Sequence, residues 1–164
     1  SVDLLKLSEP GKTLMIALML IGGSPGSTAG GMKTTTFAVL LLTAIAVFRK
    51  KRDTECFGRR VTDDTIRFAA VIFMLYITLF FVSAFMISHI EKLPMLSCLF
   101  ETASAIGTVG LSLGITPSLT QASWIILICL MFLGRVGGLT LIFAFMPNAS
   151  VNISKFPQEK IAVG

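Results

Sequence analysis

Three stretches of the sequence combine glycine with polar or charged residues in ways that could bind an ion, and they lie at 26–34, 107–112 and 134–140. In the first, "GSTAGGMKT", Gly26 and Gly31 have the spacing of a phosphate-binding loop, but Met32 intrudes before Lys33 and Thr34. That loop also needs a preceding strand and a following helix in an α/β sheet. Both flanks here are apolar runs. The context therefore argues against a P-loop enzyme, which nucleotide binding by the isolated chain would support.

The second stretch, "GTVGLS", has the pattern of an ion-selectivity filter. Such a filter is a short extended segment whose backbone carbonyls replace the hydration shell of K⁺, as in T-V-G-Y-G loops. Thr108, Val109 and Gly110 match the first three letters of that loop, whereas Leu111 and Ser112 depart from the last two. A short apolar block precedes the stretch and a longer one follows it. The sequence thus predicts K⁺ binding at Thr108, Val109 and Gly110, with an ordinary turn between two helices as the alternative.

Two charged residues lie inside apolar blocks. Arg135, in "GRVGGLT", is near the middle of the block 124–146. An arginine there costs about 2.5 to 3.5 kcal/mol on insertion scales, so it should face a cavity or a partner group. One interpretation is an arginine beside an ion pathway, and another is a structural arginine bonded to carbonyls of a broken helix; the two are compatible. Glu101 could orient the filter by hydrogen bonds, add negative potential, or be an interfacial carboxylate.

The elements that must position these residues are membrane helices. Hydrophobic residues make up 54% of the 164 residues and charged residues only 14%, too few to cover a soluble domain. The block 68–87 holds 20 uncharged residues, enough to cross the ~30 Å hydrocarbon core. The block 93–106 is too short to cross and predicts a re-entrant helix. The predicted fold class is an all-α membrane protein with membrane-pore-membrane architecture, a re-entrant pore helix and a broken transmembrane helix.

The broken helix is predicted at 13–48. Its two apolar parts, 13–21 and 37–48, each cover about half of a bilayer, and the polar stretch 22–33 lies between them. Irregular backbone at that depth is tolerated only where protein or a water-filled cavity surrounds it. Interrupted segments of this kind also indicate the substrate path of transporters. We interpret the glycines of the stretch as a source of mobility.

The charges predict a topology. Six of the 14 basic residues lie at 49–60, which indicates a cytoplasmic loop at 49–65. Residues 1–12 are then outside, a span runs outward at 66–90, a pore helix and filter follow at 93–106 and 107–112, and a second span at 119–147 returns inward to a cytoplasmic tail at 148–164. The basic residues lack interleaved aromatics, which argues against nucleic-acid binding. A single histidine and three scattered cysteines support neither a metal site nor a catalytic set.

Three motifs together resemble a known family. "MLIGGSPGSTAGGMKTTTFAVL", "ETASAIGTVGLSLGITPSLT" and "MFLGRVGGLTL" occur in this order over most of 14–145. They are similar to the membrane subunit of the bacterial Trk/Ktr potassium transporters. The resemblance implies four membrane-pore-membrane repeats around one pore, of which this chain would hold the end of the third and all of the fourth. The chain alone would then not enclose a pore.

The resemblance also implies roles for individual residues. Thr108, Val109, Gly110 and Leu111 would be the fourth repeat's share of a potassium filter, and Arg135 would contact a gate formed by the loop 22–33. The gate residues would be Gly22, Gly23, Gly26, Ser27, Thr28, Gly30, Gly31 and Lys33.

The family further implies K⁺ uptake in the cell membrane, by a homodimer of membrane subunits on a cytoplasmic ring of nucleotide-binding regulatory subunits. No bound cofactor and no enzymatic activity are expected, and coupling to Na⁺ or H⁺ is left open. Two alternatives remain: a broken-helix transporter that binds an anionic substrate, and a membrane assembly protein without transport.

Overall fold

The computed structural model describes residues 4–51, 53–56 and 58–137. The end of the predicted second span (138–147) and the predicted tail (148–164) lie outside the described residues. Five α-helices are described: α1 Glu9–Ile21, α2 Thr34–Phe48, α3 Asp63–Glu91, α4 Met95–Gly107 and α5 Gln121–Val136. Short 3-10 turns occur at Leu4–Lys6 and Thr116–Ser118. The all-α prediction is confirmed for this part of the chain, apart from one small hairpin.

The polar stretch 22–33 separates α1 from α2, and its two ends make specific backbone contacts. α1 ends at Gly22, which takes φ +69°, a conformation that favours glycine. A Cβ at this position would lie 2.0 Å from the carbonyl oxygen of Met32. At the other end of the stretch, the N–H of Thr34 donates to the carbonyl of Gly23 at 3.1 Å and brings the two ends of the loop together. The loop between α1 and α2 is therefore closed at its base by backbone contacts.

α3 is the long helix of the molecule. Asp63 and Asp64 occupy its first turn, where carboxylates interact favourably with the helix dipole. It ends at Lys92, which adopts the left-handed conformation and donates its N–H to the carbonyl of Ser88 at 2.9 Å. Among the described residues, α3 is the one helix long and apolar enough to cross a membrane, while the described parts of α2, α4 and α5 are shorter apolar helices.

The short helix α4 lies at the centre of the packing and contacts α1, α3 and α5. Cys98, Phe100 and Ala103 are completely buried. Two apolar clusters meet on this helix. The first comprises Met32, Ile72, Tyr76, Ile87, Cys98, Ala105, Ile106, Leu119, Leu127 and Leu130. The second comprises Ile16, Met19, Phe80, Phe100, Ala103 and Leu113.

A β-hairpin in the basic segment was not expected from the sequence. Its strands, β1 Glu55–Cys56 and β2 Arg59–Arg60, are antiparallel and only two residues long, too short to produce a detectable alternation. Gly58 takes φ +74° in the turn. The buried Thr54 beside the hairpin approaches Thr43 of α2, with 3.4 Å between the two hydroxyl oxygens. The basic segment thus packs against α2.

Candidate functional site

The filter motif begins where α4 ends. Thr108 follows the helix in the left-handed conformation (φ +51°) and donates its N–H to the carbonyl of Ala105 at 3.1 Å. The N–H of Val109 donates to the carbonyl of Ser104 at 3.0 Å. Gly110 then takes φ +82°, and both Val109 and Gly110 are exposed. Because a helix C-terminus carries partial negative charge, α4 directs an electrostatic field that favours cations toward this motif.

The loop 22–33 contacts the filter motif directly. The N–H of Gly30 donates to the hydroxyl of Thr108 at 2.8 Å. The next N–H, that of Gly31, donates to the carbonyl of Gly134 on α5 at 3.0 Å. All three motifs recognised in the sequence therefore meet at one place in the structure.

Close backbone approach at this meeting point depends on glycine. A Cβ on Gly30 would lie 2.6 Å from the side chain of Thr108, and a Cβ on Gly134 would lie 2.0 Å from the carbonyl oxygen of Ile106. Real Cβ atoms do not approach other atoms so closely. For Gly30 and Gly22 the structure gives a different reason for glycine than the mobility we inferred from composition. By contrast, a Cβ on Gly26 would meet nothing within 4 Å.

The loop has two halves that differ in burial. Residues 24–28 are exposed, and a short turn holds them through the N–H of Ser27 and the carbonyl of Ser24, 3.0 Å apart. Gly30, Gly31 and Met32 are buried, and Met32 belongs to the core cluster on α4. The loop is thus anchored on one side and open on the other.

Two cationic side chains bond to carbonyls of the loop. Arg135 on α5 donates from its guanidinium to the carbonyl of Thr28. Lys33 donates from Nζ to the carbonyl of Ala29 at 2.7 Å. Both positive charges therefore lie beside the loop, and the arginine has the carbonyl partner that the structural interpretation required.

Glu101 has a defined role that the sequence left open. The side chain lies in α4 and is only 5% exposed. Its Oε1 accepts from the hydroxyl of Ser112 at 2.6 Å and from the N–H of Leu113 at 2.9 Å, while its Oε2 accepts from the hydroxyl of Thr116 at 2.9 Å. These bonds are what the orientation hypothesis requires. The bonded segment begins at Ser112, the last residue of the filter motif.

Thr116 and Trp124 were not recognised from the sequence. The indole N–H of Trp124 on α5 donates to the carbonyl of Thr116 at 2.8 Å. Nothing in the sequence pairs these two residues, because the bond joins a turn to the following helix. The one available indication was Glu101, a carboxylate within an apolar helix, which must find donors nearby.

A cavity of about 370 Å³ lies between the filter segment and α5. Its wall includes Glu101, Thr108, Gly110, Leu111, Ser112, Leu127 and Met131. Most of its surface is apolar. In the part of the chain that the structure describes, no group of histidine, cysteine and carboxylate side chains could hold a metal ion.

Comparison with known proteins gives consistent matches. The family model "TrkH: Cation transport protein" matches residues 1–154. The chain is 39% identical to the potassium/sodium uptake protein NtpJ of Enterococcus hirae, over 100% of this chain and 38% of that protein. It is 38% identical to the Ktr system potassium uptake protein B of Bacillus subtilis, over 100% of this chain and 37% of that protein.

A further relative is the Ktr system potassium uptake protein B of Vibrio alginolyticus, which is 34% identical over 100% of this chain and 36% of that protein. The chain thus spans less than two fifths of the length of these curated relatives.

Proposed function

The chain belongs to the TrkH family of cation transport proteins, and from that premise we propose that it forms part of a K⁺ uptake pore. Membership of this family implies a membrane location, which agrees with the long apolar helix α3. In this proposal Thr108, Val109, Gly110 and Leu111 contribute one repeat's share of the selectivity filter. The loop 22–33 is the gate beneath it.

One observation supports this proposal above the others. The N–H of Gly30 bonds to the hydroxyl of Thr108, so the broken helix and the filter motif are in direct contact. A broken helix that bound an anionic substrate would need its free N–H groups directed at that substrate. Here the first N–H of α2, that of Thr34, is already bonded to the carbonyl of Gly23, and the loop N–H groups of Gly30 and Gly31 are also bonded to protein. The contact favours a loop that acts on the filter.

The proposed mechanism is partial dehydration of K⁺ followed by gating. Backbone carbonyls of Thr108, Val109 and Gly110 replace water around the ion, and the C-terminus of α4 favours its positive charge. Lys33 and Arg135 oppose cation passage while the loop is in place. At a separation of 4 Å and an effective dielectric constant of 20, the repulsion between two unit charges is about 4 kcal/mol. Displacement of the loop would remove this barrier.

The wider arrangement follows the family resemblance. We propose that residues 1–12 face outside, and that the basic segment 49–65 and the tail 148–164 face the cytoplasm. That side would contact a ring of nucleotide-binding regulatory subunits, with two membrane subunits forming a homodimer. K⁺ is the transported ion in this proposal, and coupling to Na⁺ or H⁺ is compatible with it.

Rubidium uptake by cells that lack other K⁺ uptake systems tests the proposal. We expect the intact protein to take up Rb⁺, and we expect K⁺ but not anions to compete. Gly110→Ser should lower the preference for K⁺ over Na⁺ by roughly tenfold, the factor that 1.4 kcal/mol represents. Gly58→Ser is a matched control, because Gly110 and Gly58 of the hairpin have similar φ values of +82° and +74° and a Cβ would meet nothing within 4 Å at either. Equal ion preference in the two variants would contradict the filter assignment.

A further inference from the structure

Glu101 is a buried carboxylate whose three hydrogen-bond donors come from one short segment. Burying a charged group is costly unless donors compensate for lost water. Here the donors are the hydroxyls of Ser112 and Thr116 and the peptide N–H of Leu113, all within the segment 112–116. Each carboxyl oxygen of Glu101 accepts at least one of these hydrogen bonds.

The hydroxyls of Ser112 and Thr116 lie 3.0 Å apart, where either could donate to the other, and both also lie within reach of Glu101. Ser112 and Thr116 each have a single hydroxyl proton, and both can be directed to the carboxylate at 2.6 and 2.9 Å. The hydroxyl of Ser112 is then free to accept from the N–H of Gly114, which lies 2.9 Å away. Glu101 therefore orders the backbone at Leu113 directly and at Gly114 through Ser112.

Packing holds this segment on one flank, where Leu113 is buried in the second apolar cluster, but not on the flank that faces α5. The cavity of about 370 Å³ adjoins Gly110, Leu111 and Ser112, so the flank facing α5 lacks close contacts there. Polar groups supply restraint where a backbone borders an empty space. On this flank hydrogen bonds restrain the backbone. The N–H of Leu113 and the hydroxyl of Thr116 donate to Glu101, and the indole of Trp124 donates to the carbonyl of Thr116.

We propose that Glu101 is a specificity-determining positioning residue: by fixing the segment 112–116 it holds the filter backbone in the arrangement that prefers K⁺ to Na⁺. The inference rests on the proposed function, because it assumes that 108–111 form a filter. Glu101 itself does not touch the ion; it acts through the backbone that follows Leu111. A filter discriminates by a defined set of carbonyls around the ion, so loosening one end of the segment lowers the discrimination.

The first experiment separates positioning from charge in the intact protein. Glu101→Leu removes every acceptor and should reduce the K⁺ over Na⁺ uptake ratio by about tenfold, a change equivalent to 1.4 kcal/mol. Glu101→Gln loses the charge, but its amide oxygen can accept from Ser112 and Leu113 while its NH₂ donates to Thr116. We expect this variant to keep most of the ratio. If Glu101→Gln loses the ratio as fully as Glu101→Leu, charge rather than positioning is responsible and the proposal is wrong.

A matched control comes from Glu91 at the end of α3. Its Oε1 also accepts three hydrogen bonds, from the N–H and hydroxyl of Thr120 and from the hydroxyl of Ser123, but these donors lie at the start of α5. Glu91→Leu should therefore weaken the fold without changing the ion ratio. An equal change of ratio in the Glu91 and Glu101 variants would overturn the proposal.

Thr116→Val covers the case in which Glu101→Leu does not reach the membrane. This change removes one donor to Oε2 and nearly conserves side-chain shape, so we expect a smaller loss of the K⁺ over Na⁺ ratio, about threefold. An unchanged ratio in a variant that is present and active would overturn the inference alone. If the unaltered intact protein takes up no Rb⁺, the proposed function itself fails and this inference fails with it.

Discussion

At the scale of single residues, glycine permits the close backbone contacts between α4, α5 and the loop 22–33. Gly134 brings α5 against the end of α4, because any Cβ there would collide with the carbonyl of Ile106. Its carbonyl then accepts from Gly31 in the loop. Glycine usually weakens a helix, by about 1 kcal/mol relative to alanine. At position 134 it is nevertheless required, because the close packing leaves no room for a side chain.

Gly134→Ala should destabilise the protein. Overpacking of a close contact typically costs about 1 to 3 kcal/mol, which outweighs the improved helix propensity. We expect a lower thermal unfolding midpoint for the intact protein in detergent. Gly26→Ala is the control: it strains a backbone at φ +85° but meets nothing within 4 Å, so its cost should be smaller, about 1 kcal/mol. A midpoint for Gly134→Ala equal to or above that of Gly26→Ala would contradict the packing argument.

At the scale of elements, the loop 22–33 combines a fixed half with an open half. Gly30, Gly31 and Met32 are buried under α4, while residues 24–28 are exposed and bonded to α5 through Arg135. The buried half anchors the loop, and the side chain of Arg135 holds the exposed half against α5. When the bond from Arg135 breaks, the exposed half can move while the buried half stays in place. The gate proposal belongs to this half of the loop.

Arg135→Ala should raise the rate of K⁺ uptake. The change removes both a positive charge beside the loop and the bond to the carbonyl of Thr28, and a hydrogen bond involving a charged group contributes about 1.5 to 3 kcal/mol. Arg135→Lys keeps the charge and serves as the control, with an expected rate closer to that of the unaltered protein. Deletion of 25–27, within the exposed half, should also raise uptake. Unchanged rates in both Arg135→Ala and the deletion would contradict gating by this loop.

At the scale of the whole molecule, the short helix α4 lies at the centre of the described residues and other helices surround it. α4 is buried by α1, α3 and α5. Large apolar side chains are exposed on the outer helices, among them Phe81, Phe85, Ile125, Ile128 and Phe132. Extended apolar surface of this kind indicates contact with lipid or with further protein. Because the chain spans less than two fifths of the length of these relatives, this surface can contact either lipid or further protein.

Three free cysteines at different depths provide a test of the proposed topology. Cys56 lies in the hairpin, Cys98 is buried in α4, and Cys129 is exposed on the apolar helix α5. A charged maleimide needs an accessible thiolate in water. We therefore expect labelling of Cys56 from the cytoplasmic side only, and no labelling of Cys98 or Cys129 in the folded protein. Cys56→Ser is the control that should abolish the signal, and labelling of Cys56 from outside intact cells would contradict the topology.

The sequence by itself predicted the class of the molecule and located the three glycine-containing motifs. Hydrophobic composition, block length and the interrupted run at 13–48 depend on local residue content, and they predicted membrane helices, a short re-entrant helix and a polar break. The filter motif and the loop were likewise found from order and spacing. Their local nature made these features predictable.

Tertiary structure alone decided which of these residues meet. The bonds from Gly30 to Thr108, from Gly31 to Gly134 and from Arg135 to Thr28 join positions 78, 103 and 107 residues apart, as their numbers show. No periodicity encodes such pairings, because they depend on how the helices cross. The same holds for the three donors of Glu101, and for the close approaches that make Gly30 and Gly134 packing residues. Composition can place a glycine in a loop, but only the neighbouring backbone shows what a side chain there would displace.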